Sequence, residues 1–297
     1  QKHQQLLPEK KTIFTVFKHK GEMNMTEPVT ITERVSVVIP GLERPYTFLH
    51  ISDTHITHAY ENDSDAGKAL AEKQAHAWNQ AGIFPVDAFA NVLEYADETK
   101  PDAILMAGDV VDYYTESNVR YLGEMLSACK TECLYVPGNH EYAGNATFDD
   151  MRATLSPLMK GTPDFWVRDF GAFVIVGVCD GTYRFTAEQV EKLKAVIAQG
   201  KPILLMLHLP IRSDVLSPYV AKSWWGSDVT IGGTFHGTDE PTEEFLALVK
   251  SEESRVAAIF AGHLHYDHAG EFAPGRMQYV SAPAFTRFVR EVSVIPG

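Results

Sequence analysis

Short apolar segments alternate with longer amphipathic segments along most of the chain. The segments Ala103–Ala107 and Cys133–Val136 are short apolar runs, and Tyr46–Ser52 is rich in aromatic and apolar residues, so all three predict strands. Similar β-branched or apolar patterns predict further strands at Thr12–Phe17, Val29–Ile39, Ala172–Val178, Ile203–Leu207, Ala257–Ala261, Met277–Ser281 and Phe288–Val294.

Between these strands, apolar residues recur at helical spacing. The spacing predicts helices over Pro85–Asp97, Ser117–Ala128 and Thr186–Gln199, and Thr186 with Gln189 forms the capping-box pattern at the start of the last one. Strands that alternate with helices indicate an α/β layered fold. Because no repeat or Pro/Ser-rich linker divides the sequence, we expect one domain over residues 1–297 that includes N-terminal strands within 11–39.

Two long segments, residues 58–84 and 210–241, interrupt this alternation and are expected to be inserted loops. Long loops in compact domains are usually lids or binding loops. The first contains Trp78 in a polar segment with helical character, and it begins at His58. The candidates for substrate contact are His58, Trp224, Trp225 and His236, although these rings would equally suit packing of the loops onto the body.

Charge narrows the class of partner. Of the 297 residues, 26 are Lys or Arg and 39 are Asp or Glu, which gives a net charge of −13. The nearest approach to a basic stripe is Lys10–Lys20, which is short, so long nucleic acids are disfavoured as partners. A small phosphorylated substrate remains possible because bound metal ions can supply positive charge.

Membrane and redox signals are weak. No apolar run reaches the roughly 18 residues that a membrane-spanning helix needs. The sequence starts at Gln1 rather than Met, so it does not decide whether a segment precedes it. It also does not indicate the cellular compartment of the protein. The 3 cysteines form no Cys-x-x-Cys pair, and we expect plain thiols.

Polar residues with metal-binding side chains follow five of the predicted strands. The carboxyl ends of strands in an α/β sheet meet at one crevice, so these residues can converge. The glycines beside them allow sharp turns and close backbone approach. Alone, each Asp or Asn would be interpreted as a turn or cap residue and each His as a structural residue. The sequences concerned are Asp53-Thr54-His55, Gly108-Asp109, Gly138-Asn139-His140-Glu141, His208 and Gly262-His263-Leu264-His265.

The donor types narrow the choice of metal. Carboxylate, imidazole and amide oxygen without thiolate suit Mn, Fe, Zn or Ni rather than a closed structural zinc. Seven protein ligands exceed what one open site needs, and they suit two ions that share a bridging carboxylate. We therefore expect two divalent or trivalent transition-metal ions. The sequence does not distinguish between Mn, Fe, Zn and Ni.

The order DTH, GD, GNHE, a lone histidine after a strand, and GHLH resembles the calcineurin-like metallophosphoesterase superfamily. The likeness extends from Asp53 to His265. It implies an α/β fold, a four-layer α/β/β/α sandwich of two mixed sheets flanked by helices. It also implies hydrolysis of a phosphoric ester, monoester or diester, by a metal-bridging hydroxide, with the substrate left open.

The resemblance also implies a function for each site residue. His140 would bind no metal and would assist the leaving group. The metal ligands would be Asp53, His55 and His265 for one ion, Asn139, His208 and His263 for the other, and Asp109 as the bridge. Apart from the resemblance, the position of Glu141 next to His140 suits either orientation of the ligands or a cap of the next segment.

Two alternatives narrow the interpretation. Purple acid phosphatases have a glycine where His55 stands and a metal-binding tyrosine three residues after the second aspartate, where this chain has Asp112. The violet iron site is therefore not expected.

The alternative to an enzyme is a non-catalytic metal-binding scaffold of the same fold, which the complete set of ligands and His140 disfavours.

Overall fold

The computed structural model of the chain describes residues 28–80, 82–143, 147–159 and 161–297. The predicted strand Thr12–Phe17 and the basic segment Lys10–Lys20 lie outside the described residues. The part of the 11–39 region that is described forms a strand from Thr30 to Ile39.

Eleven strands form two mixed sheets in the described part of the chain. The first sheet has the order β1-β11-β2-β3-β4, and the second has the order β5-β6-β7-β8-β10-β9. The strands are β1 (Thr30–Ile39), β2 (Tyr46–Ile51), β3 (Ala103–Ala107), β4 (Cys133–Val136), β5 (Phe165–Asp169), β6 (Val174–Val178), β7 (Ile203–Met206), β8 (Val256–Ala261), β9 (His268–Ala273), β10 (Arg276–Val280) and β11 (Phe288–Pro296).

Most neighbouring strands in both sheets pair in parallel, including β1 with β11. Strands β2, β3 and β4 run parallel in the first sheet, and β6, β7, β8 and β10 run parallel in the second. The antiparallel pairs are β11 with β2, β5 with β6, and β9 with β10. The carboxyl ends of the parallel strands therefore lie at one edge of their sheet, which positions the loops described below.

Helices connect most of these strands, and polar caps begin several of them. Thr186 and Gln189 form a reciprocal capping box, as the sequence predicts. Thr115 accepts the backbone N–H of Asn118 at the start of another helix. The helices are α1 (Asp65–Ala77), α2 (Pro85–Thr99), α3 (Glu116–Ala128), α4 (Phe148–Leu155), α5 (Ala187–Ile197), α6 (Ser217–Ser223) and α7 (Glu240–Lys250).

Side-chain alternation along the buried strands separates two apolar layers. Leu204 and Met206 of β7 join the large cluster that also contains Phe48 and Met106 of the first sheet, so part of this cluster lies between the sheets. Leu205 belongs to a second cluster with residues of α5 and α7 on the other face. Successive side chains on a strand point to opposite faces, which explains the division. Helices α2 and α3 contribute to the first cluster from the outer face of the first sheet.

The predicted fold class is confirmed: two mixed sheets are flanked by helices. The sequence patterns nevertheless missed strands β5 and β9 and helices α4, α6 and α7. Both missed strands lie at the edges of the second sheet, where half-exposed segments lack a continuous apolar run. The predicted loop 210–241 contains the short helix Ser217–Ser223.

Among the described residues, no helix combines the length and apolar character needed to cross a membrane. The three cysteines are free thiols in the structure: Cys129 and Cys133 are partly buried, and Cys179 is buried.

Candidate metal centre

Loops from both sheets converge at the carboxyl ends of five strands. Strand β2 leads to Asp53 and His55, and β3 leads to Asp109. Strand β4 leads to Asn139 and His140. Strands β7 and β8 of the second sheet lead to the remaining three histidines, which are His208, His263 and His265. The two sheets thus contribute donors to one centre, as expected for sites at strand carboxyl ends.

The backbone is strained at several of these positions. Asp53, His55, Asp109, His263 and His265 have φ between 45° and 70°. The left-handed region costs a residue with a Cβ about 1–2 kcal/mol. Such conformations persist where the surrounding structure fixes them, and they concentrate at functional sites.

Two of the neighbouring glycines are required by close packing. A Cβ at Gly108, which has φ of 81°, would lie 2.4 Å from Nδ1 of His208. A Cβ at Gly262 would lie 2.4 Å from the Cβ of Ser52. Side chains at either position would push the ligand-bearing loops apart.

The first group of donors contains Asp53, His55 and His265. Their donor atoms lie within 4.8 Å of one another, which is close enough to hold one metal ion. Nε2 of His265 lies 3.3 Å from Oδ1 of Asp53 and 3.1 Å from Nε2 of His55. Oδ1 of Asp53 is buried without a hydrogen-bond donor, whereas Oδ2 accepts from Ser52 Oγ and from the backbone N–H of His263.

The second group contains Asp109, His208 and His263, whose donor atoms also lie within 4.8 Å of one another. Nε2 of His208 lies 3.1 Å from Oδ2 of Asp109 and 3.1 Å from Oδ1 of Asn139. The amide oxygen of Asn139 therefore joins this group.

Buried neighbours fix the orientation of His208. Its Nδ1 donates to the carbonyl oxygen of Ala107 at 2.8 Å, which leaves Nε2 directed at Asp109. Asp180, at the end of β6, accepts the backbone N–H groups of His208 and Leu209. Burial raises the pKa of Asp180 to about 7. The sequence patterns did not identify Asp180, because an aspartate after a strand is also a common turn residue.

Asp112 connects both histidines on the other side of the centre. Its Oδ1 lies 3.0 Å from Nδ1 of His55 and 3.2 Å from Nδ1 of His140. Nδ1 of His140 also lies 2.7 Å from the backbone oxygen of Asp112. Asp112, His55 and His140 form a third group with metal-binding potential, but the Nδ1 contacts also make Asp112 a support for the two rings. The sequence comparison identified position 112 only as the place where the metal-binding tyrosine of purple acid phosphatases is absent.

Glu141 ties two of the loops together. Its buried carboxylate accepts backbone N–H groups from Asp109, Val110 and Val111 on one side and Gly138 on the other. Burial and the neighbouring Asp109 raise its pKa above the ordinary value. Of the two alternatives for Glu141, the contacts support orientation of the ligand-bearing loops.

The electrostatic environment keeps the carboxylates ionised. Burial opposes the charge on Asp53, but the His265 imidazole outweighs it and lowers the pKa to about 2. For Asp109, His208 likewise overcomes burial and holds the pKa below the ordinary range. Burial lowers the pKa of His263 to about 3, so its ring is neutral at neutral pH. Ionised carboxylate and neutral imidazole are the forms that bind metals.

His208 and His140 carry raised pKa values. Burial opposes their charge, but Asp109 raises the pKa of His208 to about 10 and Asp112 raises that of His140 to about 9. A metal bound at His208 would have to displace this proton, since only neutral imidazole is a ligand.

An indole covers each group of donors. Trp78 stacks on His55 with ring centroids 4.0 Å apart, and Trp224 lies parallel to His263 at 5.8 Å. Both tryptophans come from the predicted inserted segments. The contact of Trp78 with His55 was not predicted, because nothing in the sequence links positions 78 and 55.

The other candidates for substrate contact lie in different environments. His236 stacks on Tyr183 with ring centroids 3.7 Å apart, and the ring centroid of Tyr183 lies 6.3 Å from that of His263 in an edge-to-face arrangement. Trp225 is 92% exposed. His58 stacks on Tyr121 at 3.8 Å and contacts Tyr60, away from the rings of both donor groups.

The structure aligns with several solved structures, one of which is a dimetal phosphatase. A dimetal phosphatase from Danio rerio aligns with a TM-score of 0.50 at 14% identity, over 82% of this chain and 89% of that chain. The protein TT1561 of Thermus thermophilus aligns with a TM-score of 0.45 at 12% identity, over 83% of this chain and 97% of that chain. A putative 5'-nucleotidase from Staphylococcus aureus aligns with a TM-score of 0.44 at 14% identity, over 81% of this chain and 49% of that chain.

At this identity, the likeness to the Danio rerio structure shows a shared fold. Comparison with curated protein sequences gives no match. The sequence profile of the calcineurin-like phosphoesterase family matches residues 46–267, a span that contains both donor groups, Asp112 and His140. A match over most of the chain, together with the fold, shows that the protein belongs to the calcineurin-like phosphoesterase family.

Proposed function

We propose that the protein is a two-metal phosphoesterase that hydrolyses a small phosphomonoester or phosphodiester. The observation that carries the proposal is the convergence of imidazole, carboxylate and amide donors from five strand ends, with His140 beside them. Membership of the phosphoesterase family supports the same reaction class.

The donors fit two metal ions. Oδ1 of Asp53 is a buried acceptor without a hydrogen-bond donor, and it faces imidazole nitrogens, as an atom reserved for a cation would. Oxygen and imidazole donors without thiolate suit Mn, Fe, Zn or Ni. When bound, two such ions would stabilise charge on the phosphoryl oxygens and lower the pKa of an attacking water. The proposed ligands are Asp53, His55 and His265 for one ion, Asn139, His208 and His263 for the other, and Asp109 for both.

His140 is proposed to protonate the leaving oxygen. It belongs to neither of the two proposed ligand triads, and its side chain remains about 30% exposed. Asp112 holds its Nδ1, so Nε2 is the atom available to a substrate. The backbone N–H of His140 donates to Oδ1 of Asp109, which keeps the imidazole next to the shared carboxylate.

Substrate contacts are proposed for residues of the inserted segments. Trp224 lies on the face of His263, and His236 reaches the same side through Tyr183. Trp225 and His58 are weaker proposals, because one is exposed and the other stacks away from the donors. The net charge of −13 supports small substrates over long nucleic acids.

The test is a panel of chromogenic phosphomonoesters and phosphodiesters, assayed with protein whose metal content has been measured. We expect turnover with added Mn²⁺ and its loss with a chelator. A metal-loaded sample that hydrolysed none of the panel would contradict the enzymatic proposal and favour a metal-binding scaffold.

A further inference from the structure

Trp78 contacts the proposed metal centre from outside the strand-end loops. It is the C-cap residue of α1, within the inserted segment 58–84. Its indole lies on the imidazole of His55 at an interplanar angle of 17°. The ring centroid of the same indole lies 5.1 Å from that of Phe285 and 5.4 Å from that of His265, with the His265 ring in an edge-to-face arrangement. These contacts fix the plane of a ring that supplies a proposed ligand atom.

A hydrogen bond links the indole of Trp78 to Asp112, the residue that contacts His55 and His140. Nε1 of Trp78 donates to Oδ1 of Asp112 at 2.7 Å. This oxygen is the one that faces Nδ1 of His55 and Nδ1 of His140. The other oxygen, Oδ2, is buried without a hydrogen-bond partner in the described structure. Oδ1 thus accepts from the indole and faces both imidazoles, and the indole is the one partner that can act only as a donor.

Helix α1 holds Trp78 in place. Ala71 and Ala75 are the buried residues of the helix, and the hydroxyl of Thr57 contacts the carbonyl oxygen of Ala71 at 3.4 Å. Ser64 caps the start of the helix by accepting the N–H of Gly67. The small buried residues let the helix lie close to the loop that contains His55, which brings its last turn over the centre.

We propose that Trp78 is a positioning residue: its ring face fixes His55, and its N–H sets the Asp112 carboxylate that orients both His55 and His140. The proposal rests on the proposed function. It assigns the inserted segment 58–84 a direct part in assembling one of the two metal sites, Asp53–His55–His265, and the adjacent His140.

Two substitutions separate the two contacts. Trp78→Phe removes the N–H and keeps an aromatic face, so we expect both metals to bind while kcat falls about 10-fold with little change in KM. Trp78→Leu removes both contacts. We expect it to weaken one of two Mn²⁺ binding events about 10–100-fold, the usual effect of losing a residue that orients a ligand.

Isothermal titration with Mn²⁺ alone, together with metal content and thermal unfolding, provides the readout besides activity. The matched control is Trp166→Phe, because Trp166 is a buried tryptophan whose indole also donates a hydrogen bond, here to the carbonyl oxygen of Tyr135 at 2.8 Å. We expect this control to lower the unfolding temperature and to leave both Mn²⁺ affinities unchanged.

Selective weakening of one Mn²⁺ site in Trp78→Leu, with both affinities retained in Trp78→Phe, supports the proposal. Wild-type Mn²⁺ affinities in Trp78→Leu would overturn it, and so would equal weakening of both sites, which indicates a general loss of structure. A wild-type protein that bound no Mn²⁺ would contradict the proposed function as well. Wild-type protein with two Mn²⁺ but no turnover would count against the proposed function alone, because the binding comparison would still decide the position of Trp78.

Discussion

At the scale of single residues, three imidazoles of the centre are oriented through Nδ1. Asp112 faces Nδ1 of His55 and His140, and the carbonyl oxygen of Ala107 accepts from Nδ1 of His208. In His55 and His208 the remaining nitrogen, Nε2, points toward the other proposed ligands, and in His140 it is the nitrogen left for a substrate. An oxygen partner of this kind fixes the tautomer and the ring direction.

Replacement of His140 by alanine tests the separation of the proposed proton donor from the metal ligands. Because His140 belongs to neither proposed ligand triad, we expect His140→Ala to retain its metals. We expect kcat to fall about 10²–10⁴-fold, the usual contribution of a positioned acid. Steady-state kinetics measures the change in kcat, and metal analysis of the purified variant shows whether both metal ions are retained.

The matched control is His76→Ala, because His76 is an exposed histidine on α1 whose ring contacts Phe84. We expect its kcat to equal that of the wild type. Loss of a metal ion from His140→Ala would show that His140 had been assigned the wrong function.

At the scale of elements, the loops after β3 and β4 are held together by one carboxylate. Glu141 accepts N–H groups from both loops and the hydroxyl of Tyr135 at 2.6 Å. The strained backbone of Asp109 lies within this arrangement, with φ of 50°. The hydrogen bonds therefore offset part of the strain that brings Asp109 to the centre.

Glu141→Gln should destabilise these loops. The amide has one acceptor oxygen in place of two, so at least one buried N–H loses its partner, at a cost of about 1–3 kcal/mol. We expect the free energy of unfolding to fall by about 2 kcal/mol or more, as measured by urea titration of the metal-free protein.

The exposed pair Arg120–Glu124 offers a matched control, since its atoms lie 3.0 Å apart on the surface of α3. Glu124→Gln should change the free energy of unfolding by less than about 0.5 kcal/mol. If the two substitutions lowered the free energy of unfolding equally, the hydrogen bonds of Glu141 would contribute no more to stability than an exposed ion pair does.

At the scale of the whole molecule, the proposed metal centre joins the two sheets. Asp53 and Asp109 follow strands of the first sheet, whereas His208 and His263 follow strands of the second. Bound ions would connect loops that are otherwise held by packing and hydrogen bonds. Metal binding to the folded state should therefore stabilise the arrangement of the sheets.

Removal of metal should lower the unfolding temperature. A ligand present at 100 times its dissociation constant stabilises the folded state by about 2.7 kcal/mol per site. For domains of about 150–250 residues, 1 kcal/mol corresponds to about 2–4 °C. We expect a decrease of at least about 5 °C in scanning calorimetry after chelation, with recovery when Mn²⁺ is restored.

Asp109→Asn is the informative comparison for this experiment, because Asp109 is the proposed shared ligand. We expect a chelator to change its unfolding temperature less than that of the wild type. An unfolding temperature of the wild type that did not respond to a chelator or to Mn²⁺ would argue against metal bound between the sheets.

Local patterns in the sequence were enough to predict the buried strands, most of the longer helices and the positions of the donor-bearing loops. Continuous apolar runs such as Ala103–Ala107 are buried on both faces, and this demand is local to the segment. The edge strands Phe165–Asp169 and His268–Ala273 are partly exposed, so their patterns were too weak to predict them. The assignment of particular ligands to metals remains a prediction.

The side chains that orient the candidate metal centre became apparent from the folded arrangement alone. Trp78 and Asp112 are 34 positions apart along the chain, yet they share a hydrogen bond. Glu141 reaches back 31 positions to Val110. Such contacts depend on how loops from separate strands approach one another, and no periodic pattern encodes that distance. The sequence therefore determined the proposed donors, and the fold determined what holds them in place.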